Sequence, residues 1–349
     1  MQSLRALKYC AVFILPVLAV LSFYSRGFIT FLPVLYAFFA IPVIEQFIGA
    51  DPSNLNKAQI ELVKKDRLYD YLLYSVLPVQ WICLVLFLAG LQQPDLTVTD
   101  IVGRTTAMGI LCGVLGINVA HELGHRTTQF EQLLSKLLLA TSLYMHFFIE
   151  HNKGHHRNVG TPDDAATARR DESIYRYFPR TIIHGFISAW HITSKEQKRK
   201  KLPFLSLSNE LVRFMIFQLL LCVAIGYIFS IQIMMLFIAA ALIGILLLET
   251  VNYIEHYGLT RKKVSEYRFE DVQPKHSWNS DFIIGRLVLF ELTRHSDHHK
   301  EPSKHYQFLE TMPDAPQLPS GYPAMMLLSL FPPLWFRIMN PRLDSHIKN

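Results

Sequence analysis

Apolar residues along the chain fall into six long runs, which polar segments separate. The runs cover residues 9–24, 28–48, 69–91, 101–120, 211–229 and 233–254. A helix needs roughly 20 mostly apolar residues to cross the hydrocarbon core of a bilayer, so these runs have about the length of membrane spans. The pattern predicts six transmembrane helices. The fourth is the least typical, because Arg104 lies in its first turn.

The composition agrees with a membrane protein. Hydrophobic residues occupy 51% of the 349 positions and charged residues 18%, which is more apolar than an ordinary soluble domain of this size. The chain has no internal repeat, low-complexity tract or long linker that would indicate a second domain. We therefore expect one all-α integral membrane domain over residues 1–349, with about six transmembrane helices and a helical cap.

Basic residues are unevenly distributed among the connections between the runs. Four lie in the second connection and a dense set extends from residue 126 to residue 201, whereas the first, third and fifth connections carry one at most. Loops rich in lysine and arginine stay on the cytoplasmic side of a membrane. This asymmetry predicts that both termini are cytoplasmic, together with a cap formed by residues 120–201 and 256–349.

Nine of the fifteen histidines lie in clusters at or just beyond the ends of the fourth and sixth runs and in the two cap segments. They are His121, His125, His151, His155, His156, His256, His295, His298 and His299. Side chains three or four residues apart share one face of a helix, so we expect His121 with His125, and likewise the pair His151 and His155, to converge on one ion. His295 can pair in the same way with His298 or with His299.

Adjacent histidines serve a different purpose. They differ by about 100 degrees around a helix axis, so His155 with His156, and His298 with His299, can each supply two neighbouring metals. Nine imidazoles exceed what one tetrahedral zinc ion uses, which predicts a centre with two metals. Imidazole suits iron, zinc, copper and nickel, so the ligand type leaves the metal open.

Polar residues beside these histidines are the candidate catalytic and orienting groups. Four carboxylates lie next to predicted ligands and are expected to orient their ring nitrogens: Glu122, Glu150, Glu255 and Asp297. Glu249 and Asn252 share a face of the sixth run with His256, and a carboxylate within an apolar run is costly unless it has a function. The predicted catalytic residues are Glu122, Glu249, Asn252 and Asp297.

The four cysteines lie within apolar runs and form no C-x-x-C pair, and no G-x-G-x-x-G motif follows a strand pattern. A reaction that consumes electrons must therefore receive them from a separate protein. The basic run of residues 195–201 could receive an acidic electron carrier, although cytoplasmic loops of membrane proteins are commonly basic. The remaining histidines match no ligand spacing and are expected at surfaces or interfaces.

Two other functions are compatible with parts of this pattern. The sequence from His121 to His125 also matches H-E-x-x-H, in which two histidines bind zinc and the glutamate acts as general base in an intramembrane protease. That function requires one further ligand and leaves seven clustered histidines unexplained. A metal transporter would place its ligands near the bilayer midplane rather than beyond one membrane face.

Four sequence blocks together resemble the alkane 1-monooxygenase family, within the larger group of membrane fatty-acid desaturases and hydroxylases. Residues 118–125, 150–156 and 294–299 resemble its three histidine boxes, and residues 252–258 (NYIEHYG) resemble the additional block of alkane and xylene-type hydroxylases. The resemblance extends to residues 161–165, 178–181 and 316–322 and covers about two thirds of the chain.

The resemblance implies that the nine histidines ligate two non-haem iron ions and that dioxygen is a co-substrate. It also implies hydroxylation of the terminal methyl group of an alkane drawn from the bilayer, with electrons from a rubredoxin-like protein and its reductase. The location it implies is a bacterial inner membrane, and no nucleic acid is expected as a partner. Fatty-acyl desaturation and hydroxylation of aromatic methyl groups remain open, because both could use the same ligands.

Overall fold

The computed structural model describes residues 3–266 and 268–348, with side chains from residue 5 onward. Six helices are long and apolar enough to cross a membrane, and we call them the first to sixth spans. They are Leu7–Tyr24, Gly27–Ile48, Leu68–Gly90, Val98–Gly124, Glu210–Ile228 and Ile231–His256. All six predicted runs are confirmed. The fourth span is longer than its run and extends into the first histidine cluster, where it ends at Gly124.

Three spans are not regular α-helices throughout. The first begins as a 3-10 helix (Leu7–Phe13) and continues as an α-helix (Ile14–Tyr24). The second contains 3-10 (Gly27–Phe31), α (Leu32–Leu35), π (Tyr36–Ala40) and α (Ile41–Ile48) segments. The fourth has a π segment (Cys112–Asn118) between α segments Val98–Leu111 and Val119–Gly124. Pro42 explains the π turn of the second span, because proline donates no hydrogen bond and clashes with the carbonyl group four residues earlier.

The fourth and sixth spans cross closely, because glycine occupies the crossing positions. A Cβ atom on Gly244 would lie 2.5 Å from Cβ of Cys112, and one on Gly109 would lie 2.5 Å from Ile243. Small residues let helix backbones approach closely where lipid supplies no hydrophobic driving force for association. This crossing fixes the ends of the two spans that carry His121 and His256.

Arg104 lies in the fourth span without exposing its charge to lipid. Its side chain is fully buried, and its guanidinium donates to the carbonyl groups of Gly90 and Ser25 at 2.7 Å each and to Oε1 of Gln93 at 3.0 Å. These acceptors lie at or just beyond the ends of the first and third spans. The arginine therefore ties three spans together on the side opposite the histidines.

We expect Arg104→Met to lower the free energy of unfolding by about 1–3 kcal/mol, because buried acceptors lose their donor. Thermal denaturation of the purified protein in detergent measures the change. Arg213→Met is the matched control, since Arg213 is exposed and, among the described residues, its side chain donates only to the carbonyl group of Leu207. An equal effect of the two substitutions would contradict the structural role of Arg104.

The remaining helices and strands lie in the connections after the second and fourth spans and beyond the sixth. The α-helices among them are Lys57–Lys64, Gln129–Ala140, Phe147–Glu150, His156–Asn158, Ile174–Arg199, Ile283–Val288, His295–Lys300, Tyr322–Ser329 and Pro332–Lys348. The π-helix His151–His155 and the 3-10 helices Pro274–His276 and Tyr306–Phe308 complete the helical part. Ser3–Ala6 precedes the first span.

Strands β1 (Lys263–Ser265) and β2 (Arg268–Phe269) form a small antiparallel ribbon. It is the one departure from the predicted all-α fold among the described residues. The other connections are short, as expected where the chain turns directly back into the membrane. Most of the helical elements outside the spans thus follow the second, fourth and sixth spans, in the same parts of the chain as most of the clustered histidines.

Candidate metal centre

The structure brings all nine predicted histidines together in two groups. Five of them form the first group: His121, His125, His151, His156 and His298. Four form the second group: His155, His256, His295 and His299. Within each group, one nitrogen atom of every ring lies within 4.8 Å of those of the others. We call these the five-histidine and four-histidine groups.

The rings face one another through their Nε2 atoms. The Nε2 atom of His151 lies 3.1 Å from that of His125 and 2.9 Å from that of His156. In the four-histidine group, Nε2 atoms of His295 and His256 are 3.0 Å apart. Ligand nitrogens that share an ion at about 2.1 Å lie roughly 3.0–3.4 Å from their neighbours in octahedral or tetrahedral geometry. The spacing of these atoms is that of the edges of a coordination polyhedron.

The second histidine box departs from the predicted pairing, because it is a π-helix. His151 was expected to share an ion with His155, four residues later, but it lies in the five-histidine group with His156 instead. A π turn adds one residue, so positions five apart take the place of positions four apart on the same face. The pairing of His151 with His155 was therefore wrong.

Splitting of adjacent histidines between the two groups agrees with the prediction. His155 and His156 point into different groups, and so do His298 and His299. The helix His295–Lys300 is regular, so His295 and His299, four residues apart, share the four-histidine group. Each of these two boxes therefore contributes ligands to both groups.

Burial favours the neutral form of most of these imidazoles, which is the form that binds a cation. Burial lowers the pKa of His125 to about 3 and places the pKa of His151, His156 and His298 well below the usual value. The Nε2 atom of His121 is buried and has no hydrogen-bond partner in the described chain. A buried, unpaired imidazole nitrogen aimed at four others fits a metal ligand, because a neutral ring nitrogen is a common metal-binding group.

Asp164 orients one predicted ligand, and sequence reasoning did not select it. Its carboxylate oxygens lie 3.0 and 3.1 Å from Nδ1 of His155, which leaves Nε2 of that ring directed into the four-histidine group. Thr167 and the backbone N–H of Ala166 donate to the same carboxylate. Carboxylates that accept from the second nitrogen of a metal-bound histidine fix the orientation of the ring and raise its basicity. The only sequence signal was its place in the block at residues 161–165.

Glu122 and Asp297 were expected to orient ring nitrogens, and the structure shows them bound to other partners. Oε1 of Glu122 accepts from the Arg126 guanidinium at 2.8 and 3.1 Å and from the backbone N–H of Tyr306. Asp297 accepts from Lys304 at 2.7 Å and from the backbone N–H of residue 310 at 2.8 Å. Cations and free backbone N–H groups nearby compete successfully for both carboxylates, so the orienting prediction was wrong for these two residues.

The contacts of Glu122 also argue against a protease. A general base needs a carboxylate oxygen free to accept a proton from water, but Glu122 is buried in an ion pair with Arg126. His121 and His125 converge with three further histidines rather than with the single ligand that a zinc protease requires. Metal binding by this cluster therefore does not resemble that of an H-E-x-x-H hydrolase.

The other two carboxylates next to predicted ligands, Glu150 and Glu255, differ in their contacts with the histidines. Glu255 contacts a predicted ligand: Oε2 lies 3.2 Å from Nε2 of His295, and Oε1 accepts from the Tyr322 hydroxyl at 2.7 Å. Glu150 makes no hydrogen bond to an imidazole in the part of the chain that the structure describes, and burial raises its pKa to about 8. Of the four, Glu255 is the one with a side-chain contact of hydrogen-bond length to a clustered histidine among the described residues.

Glu249 and Asn252 form a buried network beside the histidines. Glu249 accepts from the hydroxyl groups of Thr181 and Tyr144 at 2.8 and 2.9 Å and from the amide of Asn252 at 3.3 Å. Glu249 and Asn252 line a small cavity together with His151 and His155. Their predicted catalytic role stays a prediction, and the structure places both next to the centre.

His276 does not lie at a surface, contrary to the prediction for the unclustered histidines. It is buried, and its Nε2 atom lies 3.2 Å from Oε1 of Glu270. Burial lowers its pKa to about 4 despite this carboxylate. It belongs to neither histidine group, and its Nδ1 atom accepts from the backbone N–H of Gln273.

An apolar cavity of about 70 Å³ lies between the spans and the centre. Side chains of the first, second, fourth and sixth spans line it, together with the helices Ile283–Val288 and Tyr322–Ser329. Its polar lining groups are Asn118 and Tyr322, and Tyr322 donates to Glu255, which contacts His295. The Tyr322 hydroxyl group therefore links the cavity to the four-histidine group through Glu255.

Comparisons with known proteins agree with this geometry. The Fatty acid desaturase family model matches residues 101–329. Alkane 1-monooxygenase 2 of Alcanivorax borkumensis is 38% identical over 317 residues, which cover 89% of this chain and 82% of that protein. The chain belongs to the alkane 1-monooxygenase family. Alkane 1-monooxygenase of Ectopseudomonas oleovorans is likewise 38% identical over 87% of this chain and 76% of its own length.

The similarity extends to a further type of monooxygenase. The xylene/toluene monooxygenase hydroxylase component of Pseudomonas putida is 29% identical over 70% of this chain and 65% of its own length. All nine clustered histidines and Asp164 of this member of the alkane 1-monooxygenase family lie within the segment that the family model matches. The resemblance deduced from the four sequence blocks is therefore confirmed, and with it a membrane monooxygenase.

Proposed function

We propose that this protein hydroxylates the terminal methyl group of an n-alkane to a primary alcohol. The overall reaction is RH + O₂ + 2 e⁻ + 2 H⁺ → ROH + H₂O. The observation that carries the proposal is the set of nine clustered histidines, which an apolar cavity between membrane spans approaches through Tyr322 and Glu255. Relatives named for alkane hydroxylation at 38% identity support the substrate class.

The ligand set fits two iron ions, one in each histidine group. Nine neutral nitrogen ligands leave open positions at both sites, which is what dioxygen and substrate require. Bound iron ions supply the activation of dioxygen and the transfer of one oxygen atom to carbon. Asp164 holds the ring of His155, and Glu255 with Tyr322 forms the polar boundary between the centre and the cavity.

The apolar walls of the cavity would position the alkane. An alkane has no polar group, so its binding must come from burial of methylene groups, at roughly 0.8 kcal/mol each. Entry from the bilayer requires no desolvation of a charged group. The cavity must widen to hold a whole octane chain, and a methyl end directed toward Tyr322 would point along the contacts that lead through Glu255 to His295.

Electrons come, in this proposal, from a rubredoxin-like protein that its reductase keeps reduced. The four cysteines, Cys10, Cys83, Cys112 and Cys222, lie in four different spans, where none pairs with another. The location we propose is a bacterial inner membrane with the cap and both termini in the cytoplasm. The excess of basic residues in the connections of the cap supports this orientation.

A second candidate is hydroxylation of an aromatic methyl group, which the similarity to the xylene/toluene enzyme favours. The two reactions use the same centre and differ in the shape of the molecule that the cavity accepts. Desaturation of an acyl chain is a related alternative, because the family model bears the name Fatty acid desaturase. Substrate trials distinguish all three.

The test uses purified protein in nanodiscs with rubredoxin, rubredoxin reductase and NADH. Deuterium-labelled octane, p-xylene and a saturated acyl thioester are offered separately under ¹⁸O₂. We expect labelled 1-octanol with one ¹⁸O atom per molecule. Turnover of the xylene alone would replace the proposal with the second candidate, and an alkene from the acyl substrate would replace it with desaturation.

Ala37→Phe tests the cavity as the alkane site. Ala37 lines the cavity in the second span, so a phenyl ring there should remove space that the substrate needs. We expect loss of octane turnover by at least tenfold, with iron content unchanged. Leu242→Phe in the sixth span, where the side chain is exposed, is the control. Unchanged octane kinetics in Ala37→Phe would place the substrate elsewhere.

A further inference from the structure

A polar basin of about 800 Å³ lies on the cap, on the outer side of the ligand-bearing second histidine box. Three segments line it: the box itself with Lys153 and Arg157, the loop 162–169, and one face of the helix Ile174–Arg199. Neither the four catalytic candidates nor the apolar cavity uses this basin. It is a separate concave surface, much larger than the apolar cavity.

The long helix presents a continuous polar face to the basin. Six residues at intervals of three or four line it: Arg180, His184, Ser188, His191, Lys195 and Arg199. Residues at this spacing share one side of a helix. The buried positions of the same helix, such as Tyr177 and Ala189, pack against the protein. The polar face of the helix is therefore open to the basin.

The basin carries an excess of positive charge. Four exposed cations line it with no carboxylate within 4.0 Å among the described residues: Arg157, Arg169, Lys195 and Arg199. Two other cations are neutralised, Lys153 by Glu196 and Arg180 by Glu172, each at 2.7 Å. Asp163 is the one exposed carboxylate in the lining, and no cation lies within 4.0 Å of it among the described residues. In all, six cations and three carboxylates line the basin, which leaves a net charge of +3.

The floor of the basin reaches a predicted metal ligand through one hydrogen bond. Asp164 lines the basin and accepts from Nδ1 of His155 at 3.0 Å. Gly154 also lines it and is joined covalently to His155. A molecule seated in the basin would thus be separated from the four-histidine group by a single residue layer.

We infer that this basin is the docking site of the acidic electron-carrier protein, and that electrons enter through Asp164 and His155. This inference rests on the proposed function. Each docking event oxidises the carrier by one electron and reduces the metal centre by one, so two events, with two protons from water, serve each alkane. Unpaired surface cations speed association with an oppositely charged partner and fix its orientation.

The structure shows which residues of the basic run, 195–201, could contact a docked carrier. Lys195 and Arg199 line the basin, whereas Lys198 and Lys200, also exposed, do not. Net charge alone would predict equal effects of all four side chains. Docking in the basin predicts that only the first two matter.

The experiment compares two double charge reversals in the same run, Lys195→Glu/Arg199→Glu and Lys198→Glu/Lys200→Glu. Binding of oxidised rubredoxin is titrated in nanodiscs of neutral lipid, and the KM for reduced rubredoxin is measured at several salt concentrations. We expect the first pair to raise both Kd and KM at least tenfold and to flatten the salt dependence, with kcat at saturating carrier retained. The second pair should change either value less than threefold.

Equal effects of the two pairs, or no effect of the first, would overturn the docking site. The same titration is repeated in nanodiscs of anionic lipid. If the first double variant binds rubredoxin more weakly there but not in neutral lipid, the basin binds lipid headgroups instead. Dithionite-driven single turnover of octane bypasses the carrier. Its failure in the unaltered protein would refute the proposed function, while the binding titration still reports on the basin.

Discussion

His298→Ala should reduce alkane turnover by more than about 100-fold and lower the iron content of the purified protein. His298 lies in the five-histidine group, with its Nε2 atom 3.2 Å from that of His156. Loss of residues that merely orient metal ligands typically costs 10–100-fold, so loss of a direct ligand is expected to cost more. Elemental analysis and the ¹⁸O₂ assay measure the two quantities. The same outcome is expected for each of the other eight histidines.

His346→Ala is the control for this substitution. His346 belongs to neither group, and its ring contacts the carbonyl group of Lys275. We expect its iron content and turnover to match those of the unaltered protein. Full activity of His298→Ala would remove His298 from the ligand set, and an equal loss in His346→Ala would show that the effect reflects instability rather than ligation.

Asp164→Asn should lower iron affinity and turnover about 10–100-fold, although Asp164 binds no metal in this account. The amide cannot accept as strongly from Nδ1 of His155, and its NH₂ group can turn toward the ring nitrogen. Iron release during a chelator challenge gives the affinity directly. The four-histidine group should lose its ion faster than the five-histidine group, which Mössbauer spectra of ⁵⁷Fe-loaded protein can resolve as unequal loss of two signals.

Asp163→Asn provides a matched control one residue away. Asp163 is exposed, whereas Asp164 is buried against His155. We expect normal iron retention in Asp163→Asn. If Asp164→Asn releases iron no faster than the control, the carboxylate does not support His155, and the route proposed for electrons loses its link to the centre.

The spans and the histidine clusters could be predicted because both follow simple spacing rules. A bilayer sets the length of an apolar run, and imidazoles that share an ion recur at helical intervals. Arg104 made the fourth span uncertain, since the sequence does not show that carbonyl groups at the ends of two other spans receive its guanidinium. These tertiary hydrogen bonds offset the free-energy cost of placing the charged Arg104 side chain within a membrane span.

The assignment of histidines to the two groups depended on helix type, which spacing does not reveal. In the regular α-helix His295–Lys300, histidines four residues apart share a group. In the π-helix His151–His155, His156 takes the place expected for His155. Nothing in the local composition distinguishes these cases. The prediction that adjacent histidines diverge is independent of this detail and was correct.

Carboxylates were the least predictable part of the centre. Proximity in sequence selected Glu122 and Asp297, yet nearby Arg126 and Lys304 bind them. Asp164 reaches His155 from nine positions away, through a loop whose path no periodicity describes. A buried carboxylate takes the strongest donor that the fold offers, so its partner is a property of the tertiary structure.

Iron content per chain tests the central claim most directly. Protein purified in mild detergent and loaded with ⁵⁷Fe should contain about two irons per chain, one for each histidine group, and give two Mössbauer signals without zinc. One zinc per chain, or a single iron bound with no loss in variants of the other group, would contradict a two-iron centre.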